Sequence, residues 1–190
     1  MLFRSLVAFA AIVGAFGQTT NTNAAISDIV SNLDVAVHHA IPTISFRRKT
    51  HGDPPLLKVT LQANHTATDG TVGTQVNNLI ASFNSATAAL AGTAVSSGST
   101  TDRPTNDDVS IVFSDVMQQV ASGLSGLTDT VVPTFTAMIS RLDPAVAATT
   151  NQLNTTLPGA VILVHRMMLD AQQFLVREGA WPQTLAALGF

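Results

Sequence analysis

The stretch TNDDVSIVFSDVMQQVASGLSGL, Thr105 to Leu127, decides the fold. Its apolar residues Val109, Val112, Phe113, Val116, Met117, Val120, Leu124 and Leu127 recur three and four apart, which draws one stripe down a helix. Thr105 or Asn106 can accept a hydrogen bond from the first turn. Asp107 and Asp108 place negative charge where the helix dipole is positive. Gly123 and Gly126 fall inside the pattern, and each weakens a helix by up to about 1 kcal/mol relative to alanine.

The same period extends outward in both directions. Upstream, Ile26, Ile29, Val30, Leu33, Val37, Ile41 and Ile44 form one stripe that Pro42 ends or kinks. A second consists of Val72, Val76, Leu79, Ile80, Phe83 and Leu90, followed by a loop rich in Gly, Ser and Thr from Gly92 to Thr101. Downstream, Pro133 suits a first turn ahead of Phe135, Met138, Ile139 and Leu142. Asp143-Pro144 reads as a junction, after which Val146, Thr149, Leu153 and Leu157 continue to Pro158-Gly159. Val161, Val164, Met168, Phe174 and Leu175 mark a last long segment, with Met167 and Ala171 widening it. Gly179 stops that segment, and a final turn runs from Gln183 to Leu188. No run alternates with period two for long. The expectation is an all-α fold, an antiparallel bundle of about four to six amphipathic helices. The chain contains no Cys, so no disulfide helps to hold it.

Two segments stand apart. Residues 1–17 carry Arg4 and then an uncharged apolar run from Leu6 to Phe16. Small residues at Ala15 and Gly17 predict a signal peptide cleaved before Gln18. The run is too short for the roughly 20 residues that cross a bilayer, and no later stretch is apolar for long enough, so no transmembrane segment is expected. Residues 45–71 hold Arg47, Arg48 and Lys49, Gly52 and two adjacent prolines, and read as a mobile insertion in a single domain spanning 18–190. Three basic charges there attract a polyanion only weakly. With Arg4 removed, the net charge of −3 becomes about −4, which argues against a nucleic-acid partner.

Export makes the two N-x-T signals meaningful, so Asn64 and Asn154 are candidate glycosylation sites on the surface. Catalytic signals are sparse. Without Cys there is no thiol chemistry and no zinc-thiolate site, and the pattern offers no catalytic residue, metal ligand or cofactor. His38 and His39 are adjacent and point about 100 degrees apart on a helix, so they do not share one face. Arg166 and Asp170 have the spacing of a surface ion pair rather than an acid–base set. The apolar faces are rich in adaptable Met and in Phe. This makes Leu79, Phe83, Phe113, Met117, Phe135, Met138, Met167, Met168 and Phe174 candidate contacts for an apolar surface or an acyl chain. Residues at that spacing also serve as ordinary core.

Several stretches together resemble the fungal hydrophobic surface-binding protein A family, which is related to cell-wall galactomannoproteins. The carriers are Ile26 to Leu33, Val76 to Phe83 with Ala86 and Leu90, Val116 to Val120 with Leu124 and Leu127, and Val132 to Phe135. The resemblance spans residues 26 to about 44 and 72 to 176. Residues 45–71, the break at Leu157 to Gly159 and the tail from Trp181 depart from the family's pattern. It implies a secreted or cell-wall protein that is not an enzyme. Such a protein adsorbs to hydrophobic solids or takes a fatty-acid ligand, and it recruits secreted hydrolases. The alternative is a structural mannoprotein that acts through its glycans.

Overall fold

The computed structural model describes residues 22–44 and 68–190. Among these, the chain forms seven helices and no strand: α1 (Thr22–Ile44), α2 (Asp69–Ala91), α3 (Asn106–Leu124), α4 (Phe135–Thr156), α5 (Ala160–Met167), α6 (Gln172–Glu178) and α7 (Pro182–Leu188). The expected signal peptide, the expected insertion up to residue 67 and Asn64 lie outside the described residues. Thr68 to Thr71, placed with the insertion in the sequence reading, instead begin α2. Thr68 and Thr71 cap it reciprocally, each side chain accepting from the other's backbone N–H.

Direction follows from polar contacts. Asn23 at the start of α1 donates to Pro104 O and to Asn106 Oδ1 at the start of α3, and Gln119 donates to Asp34 further along, so α1 and α3 run together. Thr134, ahead of α4, donates to Asp69 at the start of α2. Farther down, Arg141 donates to Asn77, and the Thr156 hydroxyl donates to the Leu90 carbonyl, so α2 and α4 also run together. Ser96, just past α2, bonds Asn23, which sets α2 against α1. Successive long helices therefore alternate in direction. In space α1 packs against both α2 and α3, and α2 against α4. The flank between α3 and α4 is filled by α5, α6 and α7.

The stripes read from the sequence are the core. Ile26, Val30, Leu33, Val37, Val72, Val76, Leu79, Phe83, Val109, Phe113, Val116, Met117 and Val120 are all buried in one cluster with the apolar residues of α4 to α7. Thr105 caps α3 and Asp108 returns the bond. Hydrogen bonds to the Asp108 carboxyl from the Thr105 backbone N–H and then its hydroxyl hold that carboxyl below its usual range.

Three expectations are corrected. α3 ends at Leu124, so Gly126 is not helical: at φ 88° it turns the chain toward α4. Asp143-Pro144 is no junction, because α4 runs through it unbroken. A proline inside a helix forfeits one hydrogen bond, but Pro144 lies on the exposed side while Leu142, Ala145 and Val146 keep the buried stripe in phase. Asp143 is itself buried and accepts from the backbone N–H groups of Gln183 and Thr184, at 3.0 and 2.7 Å, capping the first turn of α7. The segment after Pro158 is two helices, not one. α5 ends at Met167, so Arg166 and Asp170 lose their helical spacing, and no ion pair forms between them.

Candidate functional site

α6 stops at Gly179, whose φ of 67° lets the chain reverse and send Trp181 into the core with no exposed surface. A buried indole N–H needs an acceptor. Trp181 Nε1 donates to Glu178 Oε2 at 2.6 Å. The other carboxyl oxygen, Glu178 Oε1, is buried without a hydrogen-bond partner. Burial pushes the Glu178 carboxyl up from 4.5 to about 7, against the opposing pull of the Trp181 bond.

Glu178 lines a cleft of about 300 Å³ between α6, the start of α4 and the α3–α4 connection. Phe135, Ile139 and Phe174 supply its apolar floor, and Asp129 and Arg177 supply charge. Asp129 is fixed by the helix beside it: Thr136 donates to it from both its backbone N–H and its hydroxyl, each at 2.8 Å. Those bonds satisfy donors at the N-terminus of α4 and hold the Asp129 carboxyl below its usual range. The cleft is at the small end of ligand-sized pockets and combines a few polar groups with an apolar floor.

A second groove of about 360 Å³ runs between the first turns of α2 and α4, lined by Asp69, Gly73, Asn77, Met138 and Arg141 among others. Large apolar side chains are exposed at Val35, Val95, Ile111 and Phe190, and three more fall within one stretch of the C-terminal helices. Ile162 is 62% exposed, Leu169 53% and Val176 57%, in a stretch whose inward residues are Val164, Met168 and Leu175. Met167 and Phe174 are half-buried in the same stretch.

The residues proposed from sequence as apolar contacts divide sharply. Leu79, Phe83, Phe113, Met117 and Met168 have no exposed surface, so a ligand meets them only if the bundle opens. Phe135 and Met138 are core residues that also line the first and second groove respectively. Met167 and Phe174 alone of the nine are half-exposed. Asn154 is exposed in the last turn of α4, where its side-chain oxygen accepts from Gly159 N. His38 and His39 are exposed, and His38 sits 3.1 Å from Asp34. Among the described residues no group of three His, Asp or Glu side chains is placed to hold a metal ion, and no helix is long and apolar enough to cross a membrane.

Sequence reasoning missed Glu178. The signal was present in Arg177-Glu178-Gly179-Ala180-Trp181: a lone tryptophan that folds inward behind a glycine stop must find an acceptor, and the carboxylate three residues back is within reach. No family model matches the chain, and comparison with curated proteins returns no match.

Proposed function

We propose that this chain is a secreted, non-enzymatic protein that acts by contact with apolar matter, a hydrophobic solid or a lipid layer, through the outer side of α5 and α6. The observation that carries this reading is the exposure of Ile162, Leu169 and Val176 in a stretch whose opposite side is already committed to the core. Fully burying a side chain of this kind is worth about 1.5–3 kcal/mol. Covering the exposed half of three of them therefore returns roughly 3 kcal/mol, near a hundredfold in partition. The resemblance to the fungal hydrophobic surface-binding protein A family points the same way, and the apolar leader at residues 1–17 supports export to the medium or cell wall. In this reading adsorption uses a surface face, and the Met and Phe residues of the interior hold that face in shape. Recruitment of secreted hydrolases to the coated surface would follow from the same resemblance.

Depletion of the full chain from solution by polystyrene or octyl-coated beads tests the reading. The variant Ile162→Ser/Leu169→Ser/Val176→Ser should lose most of its adsorption while keeping the helical signal and cooperative unfolding of the parent. Equal depletion of parent and variant would overturn it. A second reading, a mannoprotein acting through its glycans, is favoured by the exposure of Asn154. Asn154→Gln should leave bead adsorption unchanged under the first reading and abolish the interaction under the second.

A further inference from the structure

We infer that the cleft between α4, α6 and the α3–α4 connection is a binding site for a small apolar molecule bearing a protonated amine, with the Glu178 carboxylate as its counter-ion. The inference does not depend on adsorption at the α5–α6 face, because it concerns a different set of side chains. Three observations carry it.

The first is shape and lining. The cleft holds about 300 Å³ over Phe135, Ile139 and Phe174, enough for a short alkyl or aryl group and too little for a long folded chain. The second is an unused acceptor. Glu178 Oε2 is taken by Trp181, whereas Oε1 is buried and has no partner among the groups that surround it. Buried acceptors are nearly always satisfied, so a carboxylate that lines a cleft with one oxygen unpaired is short of a donor. The third is the balance of charge. Asp129 from the α3–α4 connection and Arg177 from α6 are the charged groups that line the cleft with Glu178. The residues contributed by α4, namely Phe135, Thr136 and Ile139, carry no charge. Behind Trp181, the nearest carboxylate on α4 is Asp143, and it is occupied by the α7 backbone. With Glu178 ionised the cleft holds two negative charges against one positive, which favours a cation over an anion. An ammonium group also brings donors to a carboxylate whose one hydrogen bond comes from Trp181, where a bound carboxylate would add further acceptors and a like charge.

Binding should be coupled to ionisation of Glu178. Since the carboxyl gives up its proton near 7 in the free protein, the competent fraction falls about thirtyfold between pH 8.5 and pH 5.5, and apparent affinity falls with it. An alkylammonium stays charged across that range, because amines of the lysine type titrate near 10.4.

Isothermal titration of the full chain with n-octylammonium chloride, against n-octanol and sodium octanoate, tests the assignment. The expected result is saturable binding of octylammonium that weakens at least tenfold from pH 8.5 to pH 5.5, with octanoate weakest of the three at pH 8.5. Glu178→Gln keeps an acceptor for Trp181 and should remove both the preference for the amine and the pH dependence. Thr128→Trp, an exposed change on the cleft rim, should block all three probes without altering unfolding. Octylammonium binding that is absent, that is matched by octanol or octanoate, or that survives Glu178→Gln unchanged would overturn the assignment.

Discussion

Replacing Glu178 with glutamine should make the protein more stable at pH 8 and leave it nearly unchanged at pH 4. The substitution keeps the shape of the side chain and an oxygen for the Trp181 indole, and it removes the charge. An unfolded chain gives up this proton near 4.5, while the folded chain holds it to about 7. Between those values the unfolded state binds fewer protons, so folding stability falls as pH rises through the window. Below it both states are protonated and nothing is lost; above it the penalty is complete. A tenfold difference in proton affinity is worth about 1.4 kcal/mol, which sets an upper figure of about 3 kcal/mol. The part of the side chain still in water trims this to roughly 2–3 kcal/mol. For a domain of this size that is roughly 5–10 °C in Tm. Urea unfolding of both proteins at intervals from pH 4 to pH 9 reads the effect directly, and the difference curve cancels every other titrating group. The difference should be near zero at pH 4, grow through the window and level off above pH 8. Parallel curves would refute the reasoning, because they would mean that Glu178 meets water in the folded state as freely as in the unfolded one.

Other expectations rest on separate features. Asp143→Ala leaves two N–H groups of α7, that of Thr184 buried, without an acceptor and should cost about 2–3 kcal/mol in urea unfolding, whereas an exposed neighbour such as Ala148→Ser should cost almost nothing. Thr149→Val removes a buried hydroxyl that lies 2.8 Å from the Thr87 hydroxyl and 3.0 Å from the Phe83 carbonyl, and should cost about 1 kcal/mol by the same assay. Asp108 and Asp129 titrate below the ordinary carboxylate value because of their capping bonds. Their contribution is therefore present above about pH 3.8 and lost as pH falls through their lowered range, and Asp129→Asn should blunt acid unfolding.

Much of this architecture was legible because helical periodicity is a local signal. Val109, Phe113, Val116, Met117 and Val120 announce their shared face without reference to any other part of the chain, and Thr105 with Asp108 announces where that face begins. What escaped was settled between elements distant in sequence. Pro144 reads as a break until α7 docks on α4 and its N–H groups take Asp143, and nothing near Pro144 foretells that docking. The candidate contacts failed to separate for a related reason. Leu79, Phe113 and Met117 carry the same pattern as Met167 and Phe174, and only the packing of α5 and α6 decides which lie inside. Glu178 needed knowledge of where Trp181 goes. Ile162, Leu169 and Val176 lie seven apart, the spacing of one helix face, and that spacing alone does not say whether the face meets the core or water.

The flank between α3 and α4, filled by α5, α6 and α7, bears on the order in which the chain is made. Synthesis delivers α1 to α4 first, and at that stage the side of α4 that α7 and α5 later cover is bare. Only when Trp181 and Leu188 emerge can that side close. A nascent chain of this kind passes through a stage of four long helices with one side of α4 uncovered, and the C-terminal helices are the step that closes it.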